Sequence, residues 1–196
     1  MEQQFLFDIV NALSSGLEQL YQKERLARMN RILKDAYNHD PMTNLFNRLG
    51  YIEYAEREME DFHDHDERML VVYIDMDNLK VINDSLGHDM GDIAIRSIAD
   101  EMKFFTSRGG MCFRLGGDEF LVLDKYESDE AVSRTMEHIR KNLRDVSVIK
   151  GFPFELSISY GYTVTDPLSE TSLEIYVNKA DDLMYEDKKK RKKIRN

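Results

Sequence analysis

The chain contains a single cysteine, Cys112, among its 196 residues, so it cannot form an internal disulfide. A protein without disulfides suits a reducing compartment. The sequence also lacks any apolar run of about 18 residues, the length that a membrane-spanning helix needs. Residues 1–13 lack the basic start and small-residue cleavage site of a secretory signal. We therefore expect a soluble, cytoplasmic chain with no membrane segment.

Positive charge is scarce as well. Lys and Arg number 27 against 37 Asp and Glu, and the formal net charge is -10. A duplex DNA-binding protein needs a basic face, so we expect no nucleic-acid partner. Hydrophobic residues make up 42% of the chain, which is enough for a core, and the length suits one domain with an appendage.

Proline is absent from residues 1–38, and Gly16 is the only glycine there. The apolar residues of this segment recur at helical spacing, first at Leu6, Val10, Leu13, Leu17 and Leu20, and then, one step over, at Leu26, Met29, Leu33 and Ala36. The pattern predicts a coiled-coil stalk that pairs two chains. An amphipathic helix that packs on its own domain is the alternative. We place the domain boundary between this stalk, 1–38, and a second domain, 39–196.

The second domain alternates between helical and strand patterns. Asp40-Pro41 ends the first helix, because a residue before proline is pushed out of the helical region. Thr43 or Asn44 is predicted to cap the next helix. The first predicted elements are a helix to about residue 62, a strand at 69–74, a helix at 78–86, a turn at 87–92 and a further helix directly after that turn. A hairpin around 111–123, a helix at 129–145, a strand at 156–165 and a helix at 172–189 follow. This order predicts an α+β fold with a central, mostly antiparallel sheet flanked by helices.

Carboxylates stand where two of the predicted strands end or begin. Asp75 and Asp77 close the apolar strand, and residues 114–120 have the sequence Arg-Leu-Gly-Gly-Asp-Glu-Phe at the tip of the hairpin. If the strands are neighbours, Asp75, Asp118 and Glu119 converge, and Mg²⁺ takes such oxygen ligands. Alternatively, the strand-end acids cap a turn and the hairpin is an ordinary Gly-Gly turn with solvated acids.

Other site chemistries find less support. Leu79 and Lys80 stand where a calcium loop needs an Asx residue and a glycine. No G-x-x-x-x-G-K-[ST] motif occurs, and residues 87–92 do not match G-x-G-x-x-G. His63 and His65 could ligate a metal, but a solvated polar loop is the more common role for such a run.

Four blocks of the sequence resemble the GGDEF domain of diguanylate cyclases. Residues 40–48 resemble D-x-L-T-G-L-x-N-R, with Asn44 in place of the usual glycine, and residues 75–92 follow D-x-D-x-F-K-x-I-N-D-x-x-G-H-x-x-G-D, with Leu79 in place of phenylalanine. Residues 114–120 carry the signature unaltered, and residues 180–188 resemble A-D-x-A-L-Y-x-A-K. The resemblance covers about residues 38–196.

The resemblance implies a fold like that of nucleotidyl cyclases and polymerase palms. It also implies an enzyme, a diguanylate cyclase that converts two GTP into cyclic di-GMP and two pyrophosphates. Each 3′-hydroxyl attacks the α-phosphate bound across a homodimer, and the cofactor is Mg²⁺ or Mn²⁺, two ions per active site. A catalytically silent GTP-binding module, which acts as a regulatory domain, is the alternative. If the chain is a fragment, a sensor domain upstream is compatible with this family.

The resemblance also assigns roles to residues by position. The metal ligands are Asp75, the Met76 carbonyl, Asp118 and Glu119, and the catalytic residues are Asp118, Glu119 and Lys80. The residues implied to bind GTP are Asn78, Leu79, Lys80, Asn83, Asp92, Gly116, Gly117, Lys188 and Lys192. Asn83 and Asp92 match the guanine-reading positions. Lys192 matches a position that is usually arginine, and a solvated helix end is the alternative for most of residues 188–193.

One regulatory motif of the family is missing. Many members carry R-x-x-D just before the signature, where the product binds and inhibits. Residues 107–110 are Ser-Arg-Gly-Gly in this chain. We therefore expect feedback inhibition through this site to be absent or weak.

Overall fold

The computed structural model describes the backbone of residues 2–195 and the side chains of residues 13–30, 32–34 and 36–193. The elements are α1 (Glu2–Asn38), α2 (Arg48–Asp64), β1 (Met69–Met76), α3 (Leu79–Leu86), α4 (His88–Thr106), β2 (Met111–Gly116), β3 (Glu119–Lys125), α5 (Asp129–Ile149), β4 (Ile158–Val164) and α6 (Leu173–Arg195). Residues 1–38 and 39–196 form two separate compact units. Within the described residues, no helix combines the length and apolarity that crossing a bilayer requires.

The first unit is the single helix α1. Its described apolar side chains are largely exposed, among them Leu13, Leu17 and Leu20, which are 61, 67 and 61% accessible. Leu6 and Val10, which belong to the same predicted seam, lie outside the described side chains. An exposed apolar stripe on a helix is typical of a surface that pairs with another helix.

The second unit is built on a four-stranded sheet with the order β2-β3-β1-β4 and antiparallel pairing throughout. All eight residues of β1 are buried, because the strand is central and covered on both faces. The prediction of an α+β fold with an antiparallel sheet flanked by helices is confirmed.

Two hydrophobic cores cover the two faces of this sheet. The even-numbered apolar residues of β1 pack with α3, α4 and α5, and the odd-numbered ones pack with α2 and α6. Asp75 is odd-numbered, so period-two alternation carries its side chain to the face covered by α6. Cys112 lies in the first core, and burial raises the pKa of its thiol to about 12.

Two predictions of helix boundaries are wrong. Helix α2 begins at Arg48, and its cap is Asn47, which accepts from the backbone N–H groups of residues 49 and 50. Thr43 and Asn44, the predicted caps, precede the helix in a turn closed by Asp40. The predicted turn at 87–92 consists of Gly87 alone, because residues 88–92 already belong to α4. Gly87 has a φ of 86°, a conformation that favours glycine.

The hairpin differs from prediction in its turn residues. Gly116 pairs with Glu119, so the two turn residues are Gly117 and Asp118. Only Gly117 of the two glycines has a positive φ, +26°. His63, placed in a polar loop by the sequence, lies in the last turn of α2.

Candidate active site

Asp75, Asp118 and Glu119 lie around the place where β1 ends beside the hairpin turn. Asp75 is the residue opposite Glu119 in the β1–β3 register. The Met76 N–H donates to the main-chain oxygen of Asp118 at 3.0 Å, which ties the turn to the end of β1. The neighbouring strands on which the predicted site depended are therefore present.

Asp75 is a buried carboxylate held by a lysine. It is 7% exposed, and the Lys188 ammonium donates to its Oδ1 at 2.5 Å. Burial raises the pKa of Asp75 to about 6, although Lys188 acts to lower it and the negative charge of Asp118 adds to the rise. The carboxylate thus lies in an environment that favours a positive charge beside it.

Glu119 is held by a residue that sequence reasoning missed. Tyr73 is hydrogen-bonded to the Glu119 carboxylate. Burial, and to a lesser extent the negative charge of Glu119, raises the pKa of the Tyr73 phenol. Tyr73 precedes Asp75 by two residues on β1, so strand alternation was the available signal. A phenol that stays protonated donates to Glu119 and orients it.

Asp77 has a structural role. Its carboxylate accepts from the hydroxyls of Ser157 and Ser159, each at 2.7 Å, and Arg191 Nε lies 3.6 Å from Oδ2. These contacts join the end of β1 to β4 and α6. Arg191, which sequence reasoning left in a solvated basic run, therefore forms an ion pair with this buried carboxylate.

Two neighbouring grooves open at this end of the sheet. The α6 groove is lined by Asp75, Glu119, Asp181, Met184, Tyr185, Lys188, Lys189 and Lys192. The α3 groove is lined by Met76, Asn78, Leu79, Lys80, Val81, Asp118, Lys188 and Lys192. Lys188 and Lys192 line both, so the groove with Asp75 and Glu119 and the groove with Asp118 and the start of α3 share two cationic side chains.

The start of α3 offers backbone donors to the α3 groove. Asn78 precedes the helix in a left-handed conformation, with φ of 63°, and its side chain makes no capping hydrogen bond. The first N–H groups of a helix have no intrahelical partner and carry the positive end of its dipole. Together with Lys80, Lys188 and Lys192, they form a site suited to a polyanion.

The predicted base readers lie apart from both grooves, where α3 packs on α4. Asn83 contacts Gly91 so closely that a Cβ at Gly91 would lie 1.9 Å from Asn83 Oδ1. Asp92 is the next residue of α4 and is partly exposed. Among the described residues, the buried Asn83 Oδ1 has no hydrogen-bond partner. A buried polar atom without a protein partner is the kind of group that a ligand completes.

The signature turn is anchored by Arg114, a contact that the sequence did not predict. Its guanidinium donates to both carboxylate oxygens of Asp40, at 3.0 and 3.1 Å, and to the Gly117 carbonyl at 2.8 Å. Partial burial acts to raise the pKa of Asp40, but hydrogen bonds from Thr43 and Arg114 outweigh it and lower the pKa. An added Cβ at Gly117 would meet nothing within 4 Å, so space is open beside the turn.

The donor set fits a hard divalent cation in part. Asp75, Asp118 and Glu119 supply carboxylate oxygens, which such cations prefer, and the buried Asp75 already attracts an ammonium group. In the part of the chain that the structure describes, no three His, Cys, Asp or Glu side chains cluster closely enough to hold a metal ion by themselves. Water and substrate oxygens would therefore complete the coordination, as is usual for Mg²⁺.

Curated relatives of this chain are diguanylate cyclases of greater length. The bifunctional diguanylate cyclase/cyclic di-GMP phosphodiesterase MucR of Pseudomonas aeruginosa is 30% identical over 182 residues, which are 92% of this chain and 26% of that protein. The diguanylate cyclase DgcP of Escherichia coli is 29% identical over 94% of this chain and 55% of its own length. The chain thus spans between about a quarter and about a half of these relatives.

Solved structures show the same architecture. The coiled coil and GGDEF domain of DgcB from Caulobacter crescentus, crystallised with c-di-GMP, has a TM-score of 0.77 at 23% identity, over 88% of this chain and 91% of that one. The diguanylate cyclase SiaD of P. aeruginosa, in complex with its activator SiaC, has a TM-score of 0.72 at 28% identity, over 96% of this chain and 76% of that one. The model of the family described as diguanylate cyclase, GGDEF domain, matches residues 37–193. The chain therefore belongs to the GGDEF family of diguanylate cyclase domains.

Proposed function

We propose that this chain is a diguanylate cyclase, which condenses two GTP into cyclic di-GMP and two pyrophosphates. The observation that carries the proposal is that Lys188 and Lys192 line both grooves, the one with Asp75 and Glu119 and the one with Asp118 and the uncapped start of α3. A triphosphate needs cations and backbone donors. Phosphoryl transfer at that triphosphate also needs acids near its α-phosphate, because such acids hold the divalent metal ions. This arrangement offers both side by side.

The metal ligands would be Asp75, the Met76 carbonyl, Asp118 and Glu119. Two divalent ions, Mg²⁺ or Mn²⁺, would neutralise the phosphate charge and lower the pKa of the attacking hydroxyl. The protein's contribution is the buried position of Asp75 and the hydrogen bond from Tyr73 that orients Glu119.

The triphosphate would lie along the start of α3. The backbone at Asn78 and Leu79 and the ammonium group of Lys80 hold the β- and γ-phosphates from one side, and Lys188 and Lys192 hold them from the other. Open space beside Gly116 and Gly117 leaves room for the phosphates above the signature turn. An added Cβ at Gly116 would meet only Glu119, at 3.8 Å, and an added Cβ at Gly117 would meet nothing within 4 Å.

The guanine would bind beside Asn83 and Asp92, where α3 packs on α4. A carboxylate accepts hydrogen bonds from both the N1–H and the exocyclic amine of guanine, and the amide of Asn83 can complete the remaining contacts. Adenine has no N1–H donor, so Asp92 would be left unpaired with ATP. The site therefore favours GTP.

The reaction is an in-line displacement at each α-phosphorus. The 3′-oxygen of one GTP forms a bond to the α-phosphorus of the other, and the bond from that phosphorus to the bridging oxygen breaks. Glu119 accepts the hydroxyl proton, and Lys80 with Lys188 neutralises the charge on the departing pyrophosphate. Because each site holds one GTP, two chains must face each other, and α1 with its exposed apolar stripe is the means of pairing them.

The proposal is tested by incubating the full chain with GTP and Mg²⁺ and analysing the products for cyclic di-GMP and pyrophosphate. ATP under the same conditions is the matched control and should give no cyclic dinucleotide. Saturable GTP binding without product at high protein concentration would favour the silent GTP-binding module. Equal turnover of ATP would contradict the assigned role of Asp92.

Gly91→Ala is expected to raise the KM for GTP about tenfold, because its Cβ would displace the Asn83 side chain from the position that it occupies beside α4. Turnover at saturating GTP should change much less. Steady-state kinetics measures both. In an Asn83→Ala background the same change should have little further effect on KM, because the displaced side chain is then gone. An equal KM increase in both backgrounds would show that Gly91 does not act through Asn83.

Cyclic di-GMP is expected not to inhibit the enzyme through the segment before the signature. Arg108 is paired with Glu127 at 2.5 Å, and a side chain at Gly110 would meet the Leu123 carbonyl at 3.0 Å. The loop thus offers neither the residues nor the room of the R-x-x-D motif. Initial rates of pyrophosphate release measured with increasing cyclic di-GMP should stay constant. Tight binding that Arg108→Ala abolishes would contradict this expectation.

A further inference from the structure

The free edge of the sheet is covered by two side chains from opposite helical layers. Strand β4 lies at this edge, where its outward backbone groups have no neighbouring strand. Arg140 of α5 donates to the Ile158 carbonyl from Nε and Nη2, at 3.2 and 3.1 Å. Asp187 of α6 accepts from the Tyr160 N–H at 3.1 Å. The exposed backbone of β4 is therefore satisfied by side chains at these two residues.

The same two side chains bind each other. Arg140 Nη2 lies 2.5 Å from Asp187 Oδ2, and the pair is only 17 and 27% exposed. The guanidinium also lies over the ring of Tyr160, 4.4 Å from its centre. We call Arg140 and Asp187 the edge clamp, because they join α5 to α6 around the edge of the sheet. A charge-assisted pair that is sheltered and fixed by further hydrogen bonds is stronger than an exposed one.

The edge clamp lies next to the basic residues of the site. Lys188, the residue after Asp187, binds Asp75, and Arg191, one turn further on, faces Asp77. Lys192 follows and lines both grooves. Each helical residue turns by about 100° and rises about 1.5 Å, so a contact that fixes Asp187 also fixes the direction of the next residues.

We propose that Arg140 and Asp187 are positioning residues, which hold the end of α6 so that Lys188 and Lys192 meet the triphosphate. This inference rests on the proposed function. The family pattern A-D-x-A-L-Y-x-A-K, which residues 180–188 resemble, has alanine at the position of Asp187. The clamp is therefore not part of the motifs that carry the family resemblance. Loss of the clamp should weaken binding of the β- and γ-phosphates and leave binding of the nucleoside part unchanged.

The test compares two ligands on the full chain in Mg²⁺ by titration calorimetry. One is a GTP analogue with a methylene group between its α- and β-phosphorus atoms, which cannot release pyrophosphate, and the other is GMP. Asp187→Ala and Arg140→Ala should each weaken binding of the analogue about tenfold and leave GMP binding nearly unchanged. The double variant should be little worse than either single variant, because both changes remove the same clamp. Hydrogen exchange should become faster in residues 188–193.

Glu186→Ala is the matched control. Glu186 is an acid on the same helix, next to Asp187, but its pair with Lys189 is exposed, at 56 and 49%. It should leave the affinity for both ligands unchanged. Asp187→Asn, which keeps an acceptor for the Tyr160 N–H, serves if the alanine variant folds poorly, and should give a smaller effect in the same direction.

The outcomes separate the clamp from the catalytic proposal. Equal weakening of analogue and GMP, or unchanged affinity for both, would overturn the positioning role. Selective weakening of the analogue supports it, whether or not the unaltered chain makes cyclic di-GMP. An unaltered chain that binds the analogue but gives no product from GTP refutes only the catalysis.

Discussion

Replacing Asp118 by alanine is expected to lower cyclic di-GMP formation by about a thousandfold or more, because the site would lose a carboxylate that would hold the divalent ions, and those ions neutralise the phosphate charge. Asp118 lines the α3 groove with Lys80 and lies close enough to Asp75 to raise the pKa of that carboxyl. Its main-chain oxygen, which a substitution leaves in place, accepts from Met76 and holds the turn. The variant should therefore fold normally and lose chemistry.

The measurement is the rate of product formation from GTP in Mg²⁺, with thermal unfolding followed in parallel. Asp118→Asn, which keeps the shape and removes the charge, should lose nearly as much activity. Glu130→Ala removes an exposed acid from the first turn of α5 and is the matched control. Retention of a large part of the activity in Asp118→Ala would refute its assignment as a metal ligand.

Disrupting the apolar stripe of α1 is expected to make activity steeply dependent on protein concentration. Leu13 and Leu20 are two helical turns apart and are exposed. Changing both to aspartate should place like charges across a paired-helix seam and separate the chains. If the altered chains are mostly monomeric, specific activity should fall about tenfold for each tenfold dilution, because mass action then sets the fraction of dimers.

The control for this experiment changes two polar residues on the opposite side of the same helix. Ser15 and Gln22 are also seven residues apart, and at about 100° per residue they lie roughly opposite Leu13, Leu17 and Leu20. Changing both to aspartate adds the same charge and should leave the dilution series flat. Deleting residues 1–38 should reproduce the effect of the leucine changes, since residues 39–196 form a compact unit with their own two cores. A flat dilution series for the leucine variant would show that α1 is not the dimerisation element.

The predictable parts of the site were those that depend on local chemistry. The apolar run 69–74 and its terminal acids indicated a buried strand ending in carboxylates, and strand periodicity assigned their faces. Two glycines before two acids indicated a hairpin turn. Boundary residues were less reliable, because Asn47 competes with Thr43 and Asn44 for the start of α2 and only the turn closed by Asp40 decides among them.

The residues that sequence reasoning missed act across long separations in the chain. Tyr73 orients Glu119, Arg114 joins Asp40 to the signature turn, and Arg191 forms an ion pair with Asp77. Strand alternation gives the face of Tyr73 but not its partner, and nothing in the local sequence distinguishes Arg114 and Arg191 from solvated side chains. Their partners are defined by the pairing of strands and the docking of helices.

The sequence by itself determined the class of fold, the family and the identities of the acids and lysines, because periodicity and motif spacing are local properties of the chain. Only the tertiary structure decided which of those charges are close to one another. It placed Lys188 on the buried Asp75 and paired Asp77 with Ser157 and Ser159 at the start of β4, and it brought Arg140 and Asp187 together at the edge of the sheet. The reason is physical: burial and proximity set the energy of a charge, and both arise only when strands and helices distant in the chain pack together.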